Sequence, residues 1–212
     1  MPTGLSISGG DIIGTPLVDN QSCEITVTAY NDYELDGVSK AFTLRVASAP
    51  YINTESPLRN GILNQAYTPL SLAASGVTPI TWEIVSGVLP NGMNLSEEGV
   101  LDGTPLETGT FSIGVRASNS LGTDNKIFSI TINELPVITT SLFGNGRIDT
   151  YYSGQLTATG TTPITYTITA GGLPTGLTLN SSTGQISGTA LGMGTFNFTV
   201  IATNAARKFG SR

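Results

Sequence analysis

The chain has 212 residues and a net charge of −6, which argues against the basic surface that nucleic-acid binding needs. With no histidine and one cysteine, Cys23, it lacks the commonest general base and the commonest metal ligand, and it cannot form an intrachain disulfide or a cysteine-built zinc site. Charged residues make up only 11% while glycine numbers 26, a composition suited to many short strands joined by tight turns. No apolar run reaches the ~18 residues of a membrane span.

Met1 leads directly into a turn motif, so no secretory leader is expected at this end. In "MPTGLSISGGDIIGTP", Pro2 fixes φ and Gly4 permits a positive one, which predicts a tight turn. "SGG" then predicts a hairpin, and Gly14 a close backbone approach. Cys23, Ile25, Val27 and Ala29 alternate with polar residues, the period of a half-buried strand. Cys23 is expected to be a buried, unreactive thiol filling a place that other copies give to an aromatic ring. The densest acidic stretch, "NDYELDG", offers Asp32, Glu34 and Asp36 as weak metal candidates. It lacks the bidentate glutamate of a calcium loop, and a solvated connection between strands is expected.

"SAP" at 48–50 is a linker, and residues 49–134 form a complete copy of one unit. Trp82, after "TPI", is expected in the core between two sheets. "LPNG", the solvated hairpin tip "SEEG" (Glu97, Glu98), Leu101 and Gly103 repeat the opening phrase, and Pro105 ends the strand. Phe111, Ile113, Val115 and Ala117 give the clearest core strand. After the second linker, "ELP" at 134–136, Tyr166 takes the place of Trp82. "LPTGLTLNSSTGQISGTA" follows, with Ile186 and Gly188 in register and Ala190 in place of the proline. Phe196, Phe198, Val200 and Ala202 then form the next core strand.

Leu89 and Leu173 open the same phrase 84 positions apart, so the repeat is a whole domain and not a solenoid unit. The division expected is 1–48, the C-terminal half of a β-sandwich; 49–134, a complete one; and 135–212, one lacking the strand that corresponds to Phe128–Ile132. The half unit should be marginal, and unpaired sheet edges should fray or recruit strands from other copies. Each linker ends in proline and predicts a semi-rigid string. The four sequons, at Asn20, Asn94, Asn180 and Asn197, fit chance in a chain rich in Asn, Ser and Thr.

The motif Leu173-Pro-x-Gly-Leu-x-Leu, followed by Thr183-Gly-x-Ile-x-Gly-Thr, Gly194-Thr-Phe and Ala202-Thr-Asn204, resembles the immunoglobulin-like repeat of bacterial surface proteins. That group overlaps the cadherin-like domains related to dystroglycan. The resemblance runs through all three copies. It implies tandem sandwiches of about seven strands in large secreted or surface-anchored proteins, often adhesins or spacers. True cadherins place calcium-binding acids at domain junctions. Here the position after the core strand is Asn31, Asn119 or Asn204. The stretch before Pro136 offers only Glu134, the stretch before Pro50 offers none, and the loops "AASGVTP" and "TATGTTP" carry no acid. Calcium takes six to eight oxygens, several of them carboxylate, so these departures argue against a calcium junction. No other cofactor is expected.

A non-enzymatic structural or adhesive spacer at a cell surface is therefore expected, with neighbouring repeats, other surface proteins or glycans as partners. The alternative is a carbohydrate-binding or accessory module of an extracellular enzyme, with Tyr30, Tyr33 and the pair Tyr151 and Tyr152 as candidate stacking rings. A glycosidase needs two facing carboxylates, and no catalytic motif is legible.

Overall fold

In a computed structural model the described residues are 1–17, 21–32 and 34–206. The architecture is almost entirely β. The first repeat consists of two antiparallel hairpins. β1 (Leu5–Ser8) pairs with β2 (Asp11–Gly14), and β3 (Gln21–Asn31) pairs with β4 (Glu34–Val46).

The second repeat is a two-layer sandwich. Its strands are β5 (Tyr51–Ile52), β6 (Gly61–Ile62), β7 (Leu70–Ser71), β8 (Ala74–Ser75), β9 (Thr81–Gly87), β10 (Met93–Leu95), β11 (Val100–Gly103), β12 (Gly109–Asn119) and β13 (Gly122–Asn133). One sheet runs β6-β13-β12-β9, with β6 parallel to β13; facing it lie β10-β11-β7 and the small pair β5-β8. The alternation in β12 and β13 puts Ile113, Val115, Ala117, Phe128, Ile130 and Ile132 on one face, each 2% exposed or less. Trp82 and Leu101 pack against them in one core cluster.

In the third repeat β14 (Val137–Ile138) pairs with β16 (Ala158–Thr159). β15 (Tyr151–Gln155), β19 (Gln185–Thr189) and β18 (Leu177–Leu179) form one sheet, and β17 (Thr165–Gly171) pairs with β20 (Phe198–Thr203). Among the described residues β20 pairs with β17 alone. Tyr166 and Ile186 are buried in a smaller core.

The repeated phrase folds alike in all three places. Leu5, Met93 and Leu177 donate their amides to the carbonyls of Pro2, Pro90 and Pro174, closing the Leu/Met-Pro-x-Gly turn. The glycine of that turn faces the later one across the hairpin. A Cβ on Gly103 would stand 2.2 Å from the Gly92 carbonyl oxygen, and one on Gly92 would stand 2.1 Å from that of Thr104. Both have positive φ, so each position excludes a side chain twice over. Gly4 with Gly14 and Gly176 with Gly188 repeat the arrangement. The hairpin-tip glycine admits the core aromatic: a Cβ on Gly99 would meet the Trp82 ring at 2.7 Å, and one on Gly184 the Tyr166 ring at 2.9 Å.

Two expectations need correction. Cys23 is only half-buried, its Sγ 3.6 Å from the neighbouring Glu24 carbonyl; among the described residues β3 has only β4 beside it, and no residue of the first repeat joins a buried core cluster. On the same strand Val27 is 50% exposed. Phe196 lies outside β20 and is 38% exposed, so the third core strand begins at Phe198.

Candidate functional site

The most organised polar constellations lie where one repeat passes into the next, and they occur twice. At the first junction the Asn119 side chain stands at the end of β12. Its Nδ2 donates to the Ser48 carbonyl (2.9 Å) in the linker and to the Val77 carbonyl (3.0 Å) in the loop before β9. Its Oδ1 accepts the backbone N–H groups of Leu121 (2.9 Å) and Gly122 (3.2 Å), which shapes the turn into β13. Val77 N–H closes the ring by donating to Ser48 O (3.3 Å).

The second junction repeats the two donor bonds of the side chain and the backbone bond that closes the ring. Asn204 Nδ2 donates to the carbonyls of Glu134 (2.7 Å) and Thr161 (2.8 Å), and its Oδ1 accepts Ala206 N–H (3.1 Å). Thr161 N–H donates to Glu134 O (3.2 Å), while Glu134 N–H donates to the Thr161 hydroxyl (2.8 Å). A glycine in each loop lets the linker lie close. A Cβ on Gly76 would be 2.9 Å from Ala49 O, and one on Gly160 would be 2.9 Å from Leu135 O. The primary amide suits this place because it offers two donors and an acceptor, all used here. A carboxylate could only accept, and it would face two carbonyl oxygens. Asn204 is buried, so that mismatch would be poorly screened.

The sequence-expected residues are not brought together. Asp32 is exposed, and the side chains of Glu34 and Asp36 lie outside the described residues, as does Tyr33. Glu134 is half-buried and enters its junction through its backbone. Among the described residues no three His, Cys, Asp or Glu side chains form a group that could hold a metal. Glu97 and Glu98 are exposed at the hairpin tip, where a hydrogen bond from Ser96 holds the Glu98 carboxyl below its usual range. Tyr30 and Tyr151 are 68% and 67% exposed, but they stand in different repeats, and Tyr152 packs into the third core. Of the sequons, Asn94, Asn180 and Asn197 are exposed, and Asn20 lies outside the described residues. What the sequence reading missed is the donor role of Asn119 and Asn204. The signal was present in the recurrence of Ala-x-Asn at 29–31, 117–119 and 202–204.

A cavity of about 690 Å³ opens in the third repeat, lined by Phe143, Tyr152, Leu177, Ile186 and Phe198 among others. No helix of the described residues is long and apolar enough to cross a membrane.

The family model described as "Putative Ig domain" matches residues 49–133 and again 136–212. No curated protein matches the chain. Among solved structures, the N-terminal eight Ig domains of Down Syndrome Cell Adhesion Molecule share 18% identity at a TM-score of 0.55, over 96% of this chain and 33% of that one. Sidekick-1 immunoglobulin domains 1–4 share 16% identity at a TM-score of 0.50, over 97% of this chain and 61% of that one. These likenesses establish the fold, tandem immunoglobulin-like domains. A "putative alpha-galactosidase/melibiase" of Bacteroides fragilis NCTC 9343 shares 30% identity at a TM-score of 0.36, over 40% of this chain. The chain spans only 17% of that protein's length.

Proposed function

We propose a structural and adhesive spacer role for this chain, which belongs to the Putative Ig domain family. The observation that carries the reading is serial construction. The same sandwich recurs, and each linker is bonded into the head of the repeat that follows it. Short connections ending in Pro50 and Pro136 leave little slack between units. Such a string holds its ends apart and presents sheet faces along its length. An extracellular or cell-surface setting suits it, with adjoining repeats and surface proteins or glycans as partners.

The carbohydrate-binding alternative needs coplanar exposed rings, and Tyr30 and Tyr151 stand in separate repeats. Small-angle X-ray scattering on the whole chain tests the spacer reading. An elongated pair-distance distribution is expected. A compact, near-spherical profile would overturn it, and a strong response on a glycan array would move the function to ligand binding.

A further inference from the structure

We propose that Asn119 and Asn204 are linker latches. Each side-chain amide grips the backbone of the incoming linker and so fixes the direction in which the chain enters a repeat, without a bound ion. Three observations lead there.

First, the two junctions share both amide donor bonds but not their linker sequences. Ser48-Ala49-Pro50 and Glu134-Leu135-Pro136 have only the proline in common. The amide binds a carbonyl, which every residue supplies, so the linker side chain is free to vary while the grip is kept. Second, each latch ties together three separate pieces of chain. The linker, the loop before β9 or β17 and the turn after the core strand all meet at one asparagine. A residue serving only its own turn would use its Oδ1 alone; here both Nδ2 protons reach across 42 or more positions of sequence. Third, the wall behind the linker is built for contact. Gly76 and Gly160 leave no room for a Cβ where Ala49 and Leu135 pass.

The chain's path from one repeat's last strand to the next repeat's first strand runs through the gripped carbonyl. Loss of the amide therefore leaves the linker at Ser48 held by the Val77 N–H, and at Glu134 by the Thr161 N–H and hydroxyl, and loosens the segment up to the first strand pairing of the next repeat. The inference concerns how repeats are joined and stands apart from what the string is for; a compact scattering profile would sink the spacer reading and leave the outcomes below unchanged.

The test uses the whole chain with Cys23→Ser and spin labels attached through Ser112→Cys and Thr167→Cys, both exposed positions in different repeats. Electron–electron distance distributions are combined with residue-resolved amide exchange. Asn204→Ala is expected to speed exchange at Thr161 N–H about tenfold or more and to broaden the distance distribution. The amides of β17 and β20 should keep their protection. Asn204→Asp, alike in shape but unable to donate, should behave in the same way at pH 7. Calcium or a chelator should leave the unsubstituted chain's distribution as it is.

The proposal is overturned if Asn204→Ala leaves both readouts unchanged, if Asn204→Asp is native-like, or if calcium narrows the distribution. General loss of protection in the third repeat would also count against it, by making Asn204 a residue of the fold and not of the linker. Asn119→Ala, read at Val77 N–H, repeats the test in the repeat with the larger core.

Discussion

The last strands of the first and second repeats are written alike and end differently. Phe42, Leu44 and Val46 stand 86 positions before Phe128, Ile130 and Ile132, and in both a lysine two residues upstream lies over the phenylalanine ring, at 5.3 Å and 6.0 Å. Both strands form long antiparallel hairpins with the strand before them. Yet Phe128 is fully buried and Phe42 is 50% exposed. Around β13 the second repeat has β6 on its free edge and a core in which Leu101 comes from the facing sheet, Trp82 from β9 and Tyr67 from the segment between β6 and β7. Among the described residues β4 has only β3 beside it, and neither strand contributes to a buried core cluster. Alternation therefore sets which way side chains point, and burial comes from what closes over them. The third repeat makes the complementary point. Its three-stranded sheet is present, its buried core is smaller, and a cavity lined by Phe143, Tyr152, Leu177, Ile186 and Phe198 opens beside it.

The sharpest way to break this comparison is to truncate the paired phenylalanines. Phe128→Ala should destabilise the second repeat by about 3–5 kcal/mol, read by denaturant unfolding with Trp82, the only tryptophan, as reporter. Phe42→Ala should cost about 1 kcal/mol or less, read by amide exchange in β3 and β4. Equal losses would show that the first repeat has a closed core. The next largest effect is at the glycine pair. Gly103→Ala forces a Cβ against the Gly92 carbonyl at positive φ and should cost well over about 1 kcal/mol. Gly144→Ala, where nothing lies within 4 Å, should leave the melting temperature unchanged.

A smaller effect distinguishes the second repeat by pH. Burial raises the Tyr67 phenol above its ordinary 10.0, with Arg59 pulling the other way; the hydroxyl donates to Arg59 O at 3.0 Å. The folded state holds the neutral phenol more tightly than the unfolded chain does. Its contribution is thus fully present below about pH 10 and is lost as pH rises through the folded value. Tyr67→Phe should flatten the alkaline slope of stability while leaving the neutral value lower by the lost hydrogen bond, measured by denaturation from pH 8 to pH 11. The smallest effect is at the exposed Arg116–Glu83 pair, 3.1 Å apart, where Glu83→Gln should change stability by less than about 1 kcal/mol.

Much of the fold was legible because its signals are local. Proline and glycine at fixed offsets determine a turn by sterics alone, so the Leu-Pro-x-Gly phrase could be read at Pro174 and Gly176 before any partner was known. Trp82 and Tyr166, both 6% exposed, followed from their shared place after "PIT". The failures are all questions of what lies opposite. Cys23 and Val27 have the pattern of a core strand but stay half-buried and 50% exposed. Phe196 continues the alternation of β20 but precedes the pairing that begins at Gly171 with Phe198. The junction asparagines were read as carboxylates lost, because from sequence alone only charge can be counted. Their worth as donors depends on carbonyls 42 to 71 positions away, which no spacing rule brings together.

The most direct measurement is the unfolding midpoint of the whole chain, followed through Trp82 fluorescence, with calcium and with chelator. Trp82 pairs with Ala117 two residues from the Asn119 junction, so it reports on that end of the repeat. A string whose junctions are held by its own amides unfolds at the same temperature in both. A shift of several degrees toward higher stability in calcium would place an ion at the junction and contradict the account.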